Sequence, residues 1–296
     1  MSERRIRLRA PLDLAETLGP LRHGLGDRTI HLSPRVALWA TRTPDGPGTL
    51  RLALRGATLD VEAWGDGADW MLAQSPALVG EEDEPERLVA HDPVVRDLQR
   101  RHAGLRLPKS GRVLHTLVPA VFEQKVTATE AMRAYAALLR SHGETAPGPG
   151  ELLVPPSAEQ LAGLPYHAFH PLGLERRRAD VVRRAAARGA WLEGASDVQL
   201  ATRRLTSLPG IGAWTAAEVV RTAFGDPDAV SVGDFHIPNM VAWALAGEPR
   251  ADDARMLELL KPYRGQRGRV QRLLEVGRIS APRHGPRLAP RAIAGI

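Results

Sequence analysis

The sequence lacks cysteine and lacks any long hydrophobic run. Without cysteine, its 296 residues cannot form disulfides, thiolate zinc sites or cysteine-ligated iron–sulfur clusters, and this is consistent with a reducing cytoplasm. A membrane-spanning helix needs about eighteen or more consecutive apolar residues, and no such stretch occurs. The N-terminus, MSERRIRLRA, is charged from its third residue, which argues against a secretory signal. We therefore expect a cytoplasmic protein with no membrane partner.

The charge balance is strongly basic. The formal net charge is +6 and the sequence pI is about 10.4, with arginine supplying most of the positive charge. Such a balance favours a polyanionic partner such as nucleic acid, although a solvated arginine-rich surface explains it equally well. Negative charge is concentrated in one acidic segment, residues 81–86.

Hydrophobic periodicity divides the chain into three parts. Residues 28–64 alternate as strands, and Leu12 to Leu21 reads as a helix, which together predict an N-terminal antiparallel sheet domain over 1–80. The acidic segment reads as a linker, and residues 87–279 follow a helical pattern. The proline- and arginine-rich residues 280–296 are predicted to be a disordered basic tail. The predicted fold is mainly α with a small N-terminal α/β domain.

Two capping-box patterns mark helix starts within the helical part. They are Ser157 with Gln160 and Ser196 with Gln199.

The stretch SLPGIGAWTAAE, residues 207–218, predicts a tight turn between two helices, 197–207 and 214–224. Glycine accepts positive φ and lets another backbone approach closely, while Ile211 anchors the turn in the core. The free amides at the start of the second helix favour a phosphate. An ordinary helix connection also uses glycine, so the motif alone does not decide between the two interpretations.

A carboxylate downstream favours the functional interpretation. Asp234, in DPDAVSVGDFHIPN, lies twenty-two residues beyond Gly212. The hairpin followed by this Asp resembles the helix–hairpin–helix DNA glycosylase superfamily, and most closely the branch of bacterial 3-methyladenine DNA glycosylase II. Further stretches match in order along most of the chain: GLRLP at 104–108, Gln124 in FEQKVTATEA, PLGLERRRA at 171–179 and PYRGQR at 262–267.

The resemblance implies a catalytic role for Asp234. Cleavage of the base–sugar bond places positive charge on the sugar, which a carboxylate stabilises, and the same group aligns water. A helix N-cap role for Asp234 is compatible with this role, and His236 is expected to be structural support. Bifunctional members carry a lysine where this chain has Trp214, so the resemblance implies a monofunctional enzyme without strand-cleaving lyase activity.

The remaining site residues follow from the same resemblance. The substrate pocket is expected to include Trp214, Glu218, Phe122, Gln124 and Arg269. The DNA-binding residues are expected to be Gly210, Ile211, Gly212, Thr215, Lys125 and Arg267. A structural Na+ or K+ is expected on the backbone carbonyls of Thr206, Leu208 and Ile211, and no cofactor is expected to be required.

Two questions about these residues stay open at this level. Lys125 is either the wedge that fills the gap left by a flipped base or an exposed helix charge. Glu218 and Arg269 replace aromatic residues of the family; they either read a base edge or pair with each other. An aromatic pocket suits cationic alkylated purines, so these replacements bear on the lesion and not on the reaction type.

The predicted function is a monofunctional glycosylase that flips and excises alkylated purines from double-stranded DNA in base-excision repair, leaving an abasic site. The alternatives are excision of uracil, hypoxanthine or an oxidised purine, and a non-catalytic protein that uses the hairpin as a phosphate clamp. We expect the protein to be a monomer.

Overall fold

The computed structural model describes residues 2–282. Its N-terminal part is a five-stranded antiparallel sheet with strand order β1-β5-β4-β3-β2. The strands are β1 (Ser2–Arg7), β2 (Ile30–Leu32), β3 (Val36–Thr43), β4 (Gly46–Arg55) and β5 (Thr58–Trp64). The strands expected between residues 28 and 64 are confirmed, whereas β1 was not predicted because its sequence SERRIR is mostly charged. Most of the predicted tail, residues 283–296, lies outside the described residues.

One face of the sheet packs on two helices, α1 (Leu14–Leu18) and α2 (Ala68–Leu78). Alternation along the strands turns the apolar side chains towards these helices, as in β5, where Leu59, Val61 and Ala63 are buried. A two-stranded hairpin, β6 (Glu144–Thr145) and β7 (Leu153–Val154), lies beside β3.

The rest of the described chain is helical. The helices are α3 (Pro93–Arg101), α4 (Val113–Phe122), α5 (Ala128–His142), α6 (Ala158–Gly163), α7 (Tyr166–Phe169), α8 (Arg176–Ala187), α9 (Gly189–Glu193), α10 (Val198–Thr206), α11 (Ala213–Ala223), α12 (Ile237–Ala246), α13 (Asp253–Leu259) and α14 (Arg267–Val276). They surround two hydrophobic clusters, one within residues 113–223 and the other joining α3 to α12–α14. The predicted fold, mainly α with a small N-terminal antiparallel sheet, is confirmed. Within residues 2–282, no helix has the length and apolar character needed to cross a membrane.

One of the two predicted capping boxes forms. Ser157 and Gln160 cap α6 reciprocally, as expected. The prediction for Ser196 is wrong, because the side chain of Asp197 accepts the amide of Leu200 and caps α10 instead.

The acidic segment predicted as a linker is fixed by ion pairs. Asp83 pairs with Arg269 of α14, and Glu81 pairs with Arg106; all four side chains are largely buried. A third pair joins Glu82 to Lys109 at 3.0 Å. The segment therefore ties the N-terminal part to the helical part.

A buried histidine makes a second connection between the two parts. His115 of α4 hydrogen-bonds the hydroxyl of Thr41 in β3 at 2.9 Å and accepts the indole N–H of Trp39 at 3.4 Å. Burial lowers the pKa of His115 to about 3, and the nearby His23 and Arg112 add to the shift. The ring is therefore neutral in the folded protein at neutral pH.

Candidate nucleic-acid interface and active site

The turn between α10 and α11 is an exposed hairpin with two glycines. Gly210 has a φ of +94°, and a Cβ there would lie 2.3 Å from Cγ2 of Val181 in α8, so both backbone and packing require glycine. Gly212 has ordinary φ and open space around it. Between them Ile211 is buried in the core, as the sequence suggested. The hairpin is thus anchored by one side chain while its backbone faces solvent.

The start of α11 offers unpaired amides beside that hairpin. The first intrahelical hydrogen bond runs from Ala216 N to Gly212 O at 3.0 Å. The amides of residues 213–215 precede that bond and have no intrahelical acceptor, and no side chain caps this end. Together with the positive end of the helix dipole, these amides form a candidate phosphate site.

Gln124, just after α4, braces the hairpin. Its amide Nε2 donates to the carbonyl of Gly210 at 3.0 Å and to the hydroxyl of Thr215 at 2.9 Å. Thr215 is only 2 % exposed and its hydroxyl is bound by Gln124, so its side chain is structural and does not supply the expected DNA contact. The next residue, Lys125, is exposed and has a left-handed φ of +57°, a backbone conformation that residues other than glycine rarely adopt.

Asp234 lies on the loop between α11 and α12, and contacts fix both of its oxygens. Oδ1 accepts the amides of His236 and Ile237 at 2.7 and 3.0 Å, which places the carboxylate at the start of α12. Oδ2 accepts the indole N–H of Trp214 at 2.9 Å. The carboxylate is half-buried and is joined to the first turn of α11, directly behind the hairpin.

Trp214 and Glu218 lie one helical turn apart on the same face of α11, the face that meets the Asp234 loop. Glu218 accepts the hydroxyl of Ser231 at 2.5 Å and a guanidinium N–H of Arg221 at 2.7 Å. Burial raises the pKa of the Glu218 carboxyl, although Arg221 opposes the shift. The possibility that Glu218 pairs with Arg269 is wrong, since Arg221 takes that place.

Three residues expected at the site have other partners. Arg269 is 3 % exposed and pairs with Asp83, so it does not line a pocket beside Asp234. Phe122 is fully buried in the helical core and has no accessible face. Arg267 forms an ion pair with Asp228 at 2.5 Å, which occupies its guanidinium and leaves less of it for DNA.

A buried polar network behind Glu218 was not predicted. Gln271 donates to Ser231 at 2.7 Å and to Glu275 at 2.8 Å, and Arg221 lies 3.6 Å from the Glu275 carboxylate. These residues come from α11, α14 and the Asp234 loop, so no single stretch of sequence contains the pattern.

The carbonyls proposed as cation ligands lie on the turn itself. The carbonyl of Leu208 accepts the amide of Ile211 at 3.1 Å, which leaves its second lone pair for another partner. In the described part of the chain, no group of three or more His, Asp or Glu side chains could hold a metal ion.

One cavity lies away from these residues. It has a volume of about 520 Å³ and is lined by the acidic segment together with residues around 225 and 265. Its lining includes neither Asp234 nor Trp214, and it is bounded by the ion pairs already described.

Comparison with curated proteins finds two named repair enzymes. The chain is 30% identical over 158 residues to a Mycobacterium tuberculosis protein named "Probable bifunctional transcriptional activator/DNA repair enzyme AlkA", covering 51% of this chain and 32% of that one. It is 28% identical over 167 residues to DNA-3-methyladenine glycosylase 2 of Escherichia coli K12, covering 54% and 57%. The chain thus spans about a third and just over half the length of these relatives. No family model matches the sequence.

Comparison with solved structures identifies the fold. A 3-methyladenine DNA glycosylase from Archaeoglobus fulgidus superimposes with a TM-score of 0.77 at 18% identity, over 93% of this chain and 98% of the other. An 8-oxoguanine glycosylase/lyase from Clostridium acetobutylicum, in complex with double-stranded DNA, superimposes with a TM-score of 0.67 at 11% identity, over 90% and 91%. The shared architecture is therefore common to enzymes with different target bases.

Proposed function

We propose that this chain, which has the fold of the helix–hairpin–helix DNA glycosylases, is a monofunctional DNA glycosylase that excises alkylated purines from duplex DNA and leaves an abasic site. The observation that carries the proposal is the position of Asp234, whose carboxylate is fixed beside the exposed hairpin by Trp214 and two backbone amides. The similarity to two repair enzymes named for DNA repair or 3-methyladenine supports it.

Asp234 supplies the chemistry of bond cleavage. When the bond between base and deoxyribose breaks, positive charge develops on the sugar, and a fixed carboxylate stabilises that charge without reorganising. The bonding electrons leave with the base, and water then adds to the sugar carbon. Asp234 orients this water and accepts its proton. Because Trp214 and the α12 amides hold both oxygens, the carboxylate is already placed before DNA binds.

The hairpin holds the strand that carries the damaged nucleotide. The amides of residues 213–215 donate hydrogen bonds to a phosphate, which the bare backbone at Gly212 lets approach closely, and neither interaction reads sequence. Gln124 joins the hairpin to the segment that carries Lys125, and we assign Lys125 to the gap left by the flipped base. The left-handed backbone at Lys125 supports this role, since strained residues are concentrated at functional sites.

The pocket combines an aromatic wall with a carboxylate. Trp214 offers a ring for stacking, and Glu218 offers an acceptor that Ser231 and Arg221 hold in place. N-alkylated purines carry a positive charge and polarised N–H groups, so ring and carboxylate together favour them over neutral bases. Uracil, hypoxanthine and oxidised purines are neutral and gain less from this arrangement.

The absence of a lysine beside the sugar supports a reaction without strand cleavage. Schiff-base formation needs an amine, and the position next to Asp234 is occupied by Trp214. The whole sequence contains three lysines, Lys109, Lys125 and Lys261. Lys109 pairs with Glu82, and we assign Lys125 to the base gap.

A monovalent cation at the hairpin would steady the turn. The backbone carbonyls of Thr206, Leu208 and Ile211 are neutral oxygen ligands of the kind that Na+ and K+ prefer, and the free lone pair on Leu208 fits this role. Its charge would add to the attraction of the hairpin for phosphate, and no catalytic step depends on it.

The decisive experiment is a panel of duplexes, each with one lesion, assayed with the wild type and with Asp234→Asn. We expect release of 3-methyladenine or 7-methylguanine by the wild type only, with DNA binding retained in the variant. Release of uracil, hypoxanthine or 8-oxoguanine alone would replace the alkylated-purine assignment. Binding without release of any base would favour a non-catalytic phosphate clamp.

A further inference from the structure

A leucine on the N-terminal part of the chain is displayed to solvent next to the proposed DNA-binding surface. Leu25 is 92 % exposed and stands between two glycines in the loop of residues 22–27, sequence RHGLGD. A single exposed leucine needs no explanation by itself. Three features of its surroundings set this one apart.

The loop is rigid. The carboxylate of Asp27 is buried and accepts the amide of His23 at 2.9 Å, the amide of Thr29 at 2.8 Å and the hydroxyl of Thr29 at 2.7 Å. Gly24 adopts a left-handed φ of +88°. The turn therefore has a fixed shape that holds Leu25 away from the protein's own core.

The loop is seated on the elements that carry Gln124 and Lys125. A Cβ at Gly24 would lie 2.8 Å from Cγ of Met132, and one at Gly26 would lie 3.0 Å from Cβ of Ala136, both on α5. The glycines thus permit close packing on this helix. Met132 lies about 6 Å along α5 from its first residue, at 1.5 Å per residue, which puts the loop near Lys125.

A direct contact also reaches the end of α4. Nδ1 of His23 lies 3.6 Å from the carboxylate of Glu123, the residue before Gln124. The Leu25 loop and the hairpin therefore contact two neighbouring residues, Glu123 and Gln124.

Exposed basic residues without an ion-pair partner lie on the Leu25 loop and on the segments next to it. Arg22 is in the loop, Lys125 precedes α5 and Arg133 is beside Met132; all three are exposed. None of the three forms an ion pair with another residue in the range 2–282. An exposed apolar side chain near basic side chains is complementary to nucleic acid, in which phosphates flank the apolar faces of stacked bases.

We propose that the N-terminal part of the chain contacts DNA through Leu25, which enters the duplex as a second wedge beside the nucleotide that Lys125 displaces. Lys125 fills the space of the flipped base, and Leu25 supports the adjoining base step, while Arg22 and Arg133 hold the flanking phosphates. The choice of duplex DNA as the partner rests on the proposed function, but the wedge itself requires no base excision.

The test is a binding measurement with Leu25→Ala and a matched control, Val89→Ala. Val89 is also exposed, at 65 %, but belongs to the segment after the acidic residues, so both substitutions remove exposed apolar atoms and should leave the melting temperature unchanged. The probe is a duplex with a tetrahydrofuran abasic analogue and 2-aminopurine in the adjoining base pair.

We expect Leu25→Ala to weaken binding of this duplex about tenfold, because a lost wedge contact is worth on the order of 1–2 kcal/mol. The rise in 2-aminopurine fluorescence on binding should also be lost, and Val89→Ala should behave as the wild type. Unchanged affinity and fluorescence with Leu25→Ala would overturn the proposal, as would an equal loss of affinity for single-stranded DNA. Because the probe contains no base to excise, failure of the enzymatic assignment leaves this result interpretable.

Discussion

The indole nitrogen of Trp214 lies 2.9 Å from Oδ2 of Asp234 and donates a hydrogen bond to it across twenty residues of sequence. This bond joins the first turn of α11, which carries the hairpin amides, to the loop that carries the carboxylate. Under the proposed function, DNA bound at the hairpin would meet a carboxylate whose position is set by the same helix.

Asp234→Asn should abolish base release while preserving DNA binding. The amide keeps the size of the carboxylate but removes the negative charge that stabilises the developing cation, so we expect a fall in kcat of about 10² to 10⁴-fold. Single-turnover release of the base measures the effect, and gel-shift affinity serves as the control. Retention of more than a tenth of the activity would contradict the catalytic assignment.

Trp214→Phe isolates the hydrogen bond from the aromatic ring. A hydrogen bond to a charged group contributes about 1.5–3 kcal/mol, so we expect kcat to fall roughly tenfold to a hundredfold, with Kd for abasic DNA unchanged. Trp214→Leu, which also loses the ring, should additionally raise KM. Equal kinetics for the wild type and Trp214→Phe would show that the bond does not position Asp234.

Glu218→Gln should change the preference between lesions more than it changes kcat/KM for all lesions together. Loss of the carboxylate charge weakens the binding of cationic 7-methylguanine. We therefore expect kcat/KM for 7-methylguanine to fall about tenfold relative to kcat/KM for a neutral base such as hypoxanthine. The ratio of kcat/KM values for the two lesions is the measurement. A uniform change across lesions would assign Glu218 to folding of the polar network alone.

The two hairpin glycines form a matched pair for testing phosphate binding. Gly210→Ala places a methyl against Val181 at a positive φ and should lower the free energy of unfolding by about 2–4 kcal/mol. Gly212→Ala meets no protein atom, so stability should change by less than about 1 kcal/mol.

Gly212→Ala should nonetheless weaken DNA binding severalfold, because its methyl stands where the backbone approaches the phosphate. Wild-type affinity should fall steeply with salt as counterions are released. Unaltered affinity in this variant would place the phosphate elsewhere.

Stability should fall in acid through His115. Its folded-state pKa of about 3 lies below the ordinary value of 6.5, so the unfolded chain takes up a proton first as the pH falls. The contribution of the neutral His115 ring to the free energy of unfolding is fully present above pH 6.5. It is lost progressively as the pH falls from 6.5 to about 3, and the loss at pH 4 is on the order of 3 kcal/mol. His115→Gln should flatten this part of the curve of unfolding free energy against pH, whereas parallel curves would assign the acid sensitivity to other groups.

Much of this architecture was predictable from local patterns. Alternation revealed β2–β5, and the glycine spacing with Ile211 revealed the hairpin, because these signals depend on neighbours in sequence. The partners of Arg269 and Glu218 were not predictable, since Asp83 lies 186 residues from Arg269 and the alternatives differ only in three-dimensional packing. Phe122 was wrongly assigned to the substrate pocket for the same reason. From the sequence alone, an aromatic residue next to a motif cannot be assigned to a cavity wall or to the core.

The ion pairs of the acidic segment have a consequence for how the protein meets DNA. Glu81, Glu82, Asp83 and Glu84 each have a basic partner within the protein, so the densest negative stretch of the sequence projects little long-range repulsion. An approaching duplex would then be steered by the arginines left without partners, so the placement of those arginines, more than the net charge, should set the rate of encounter.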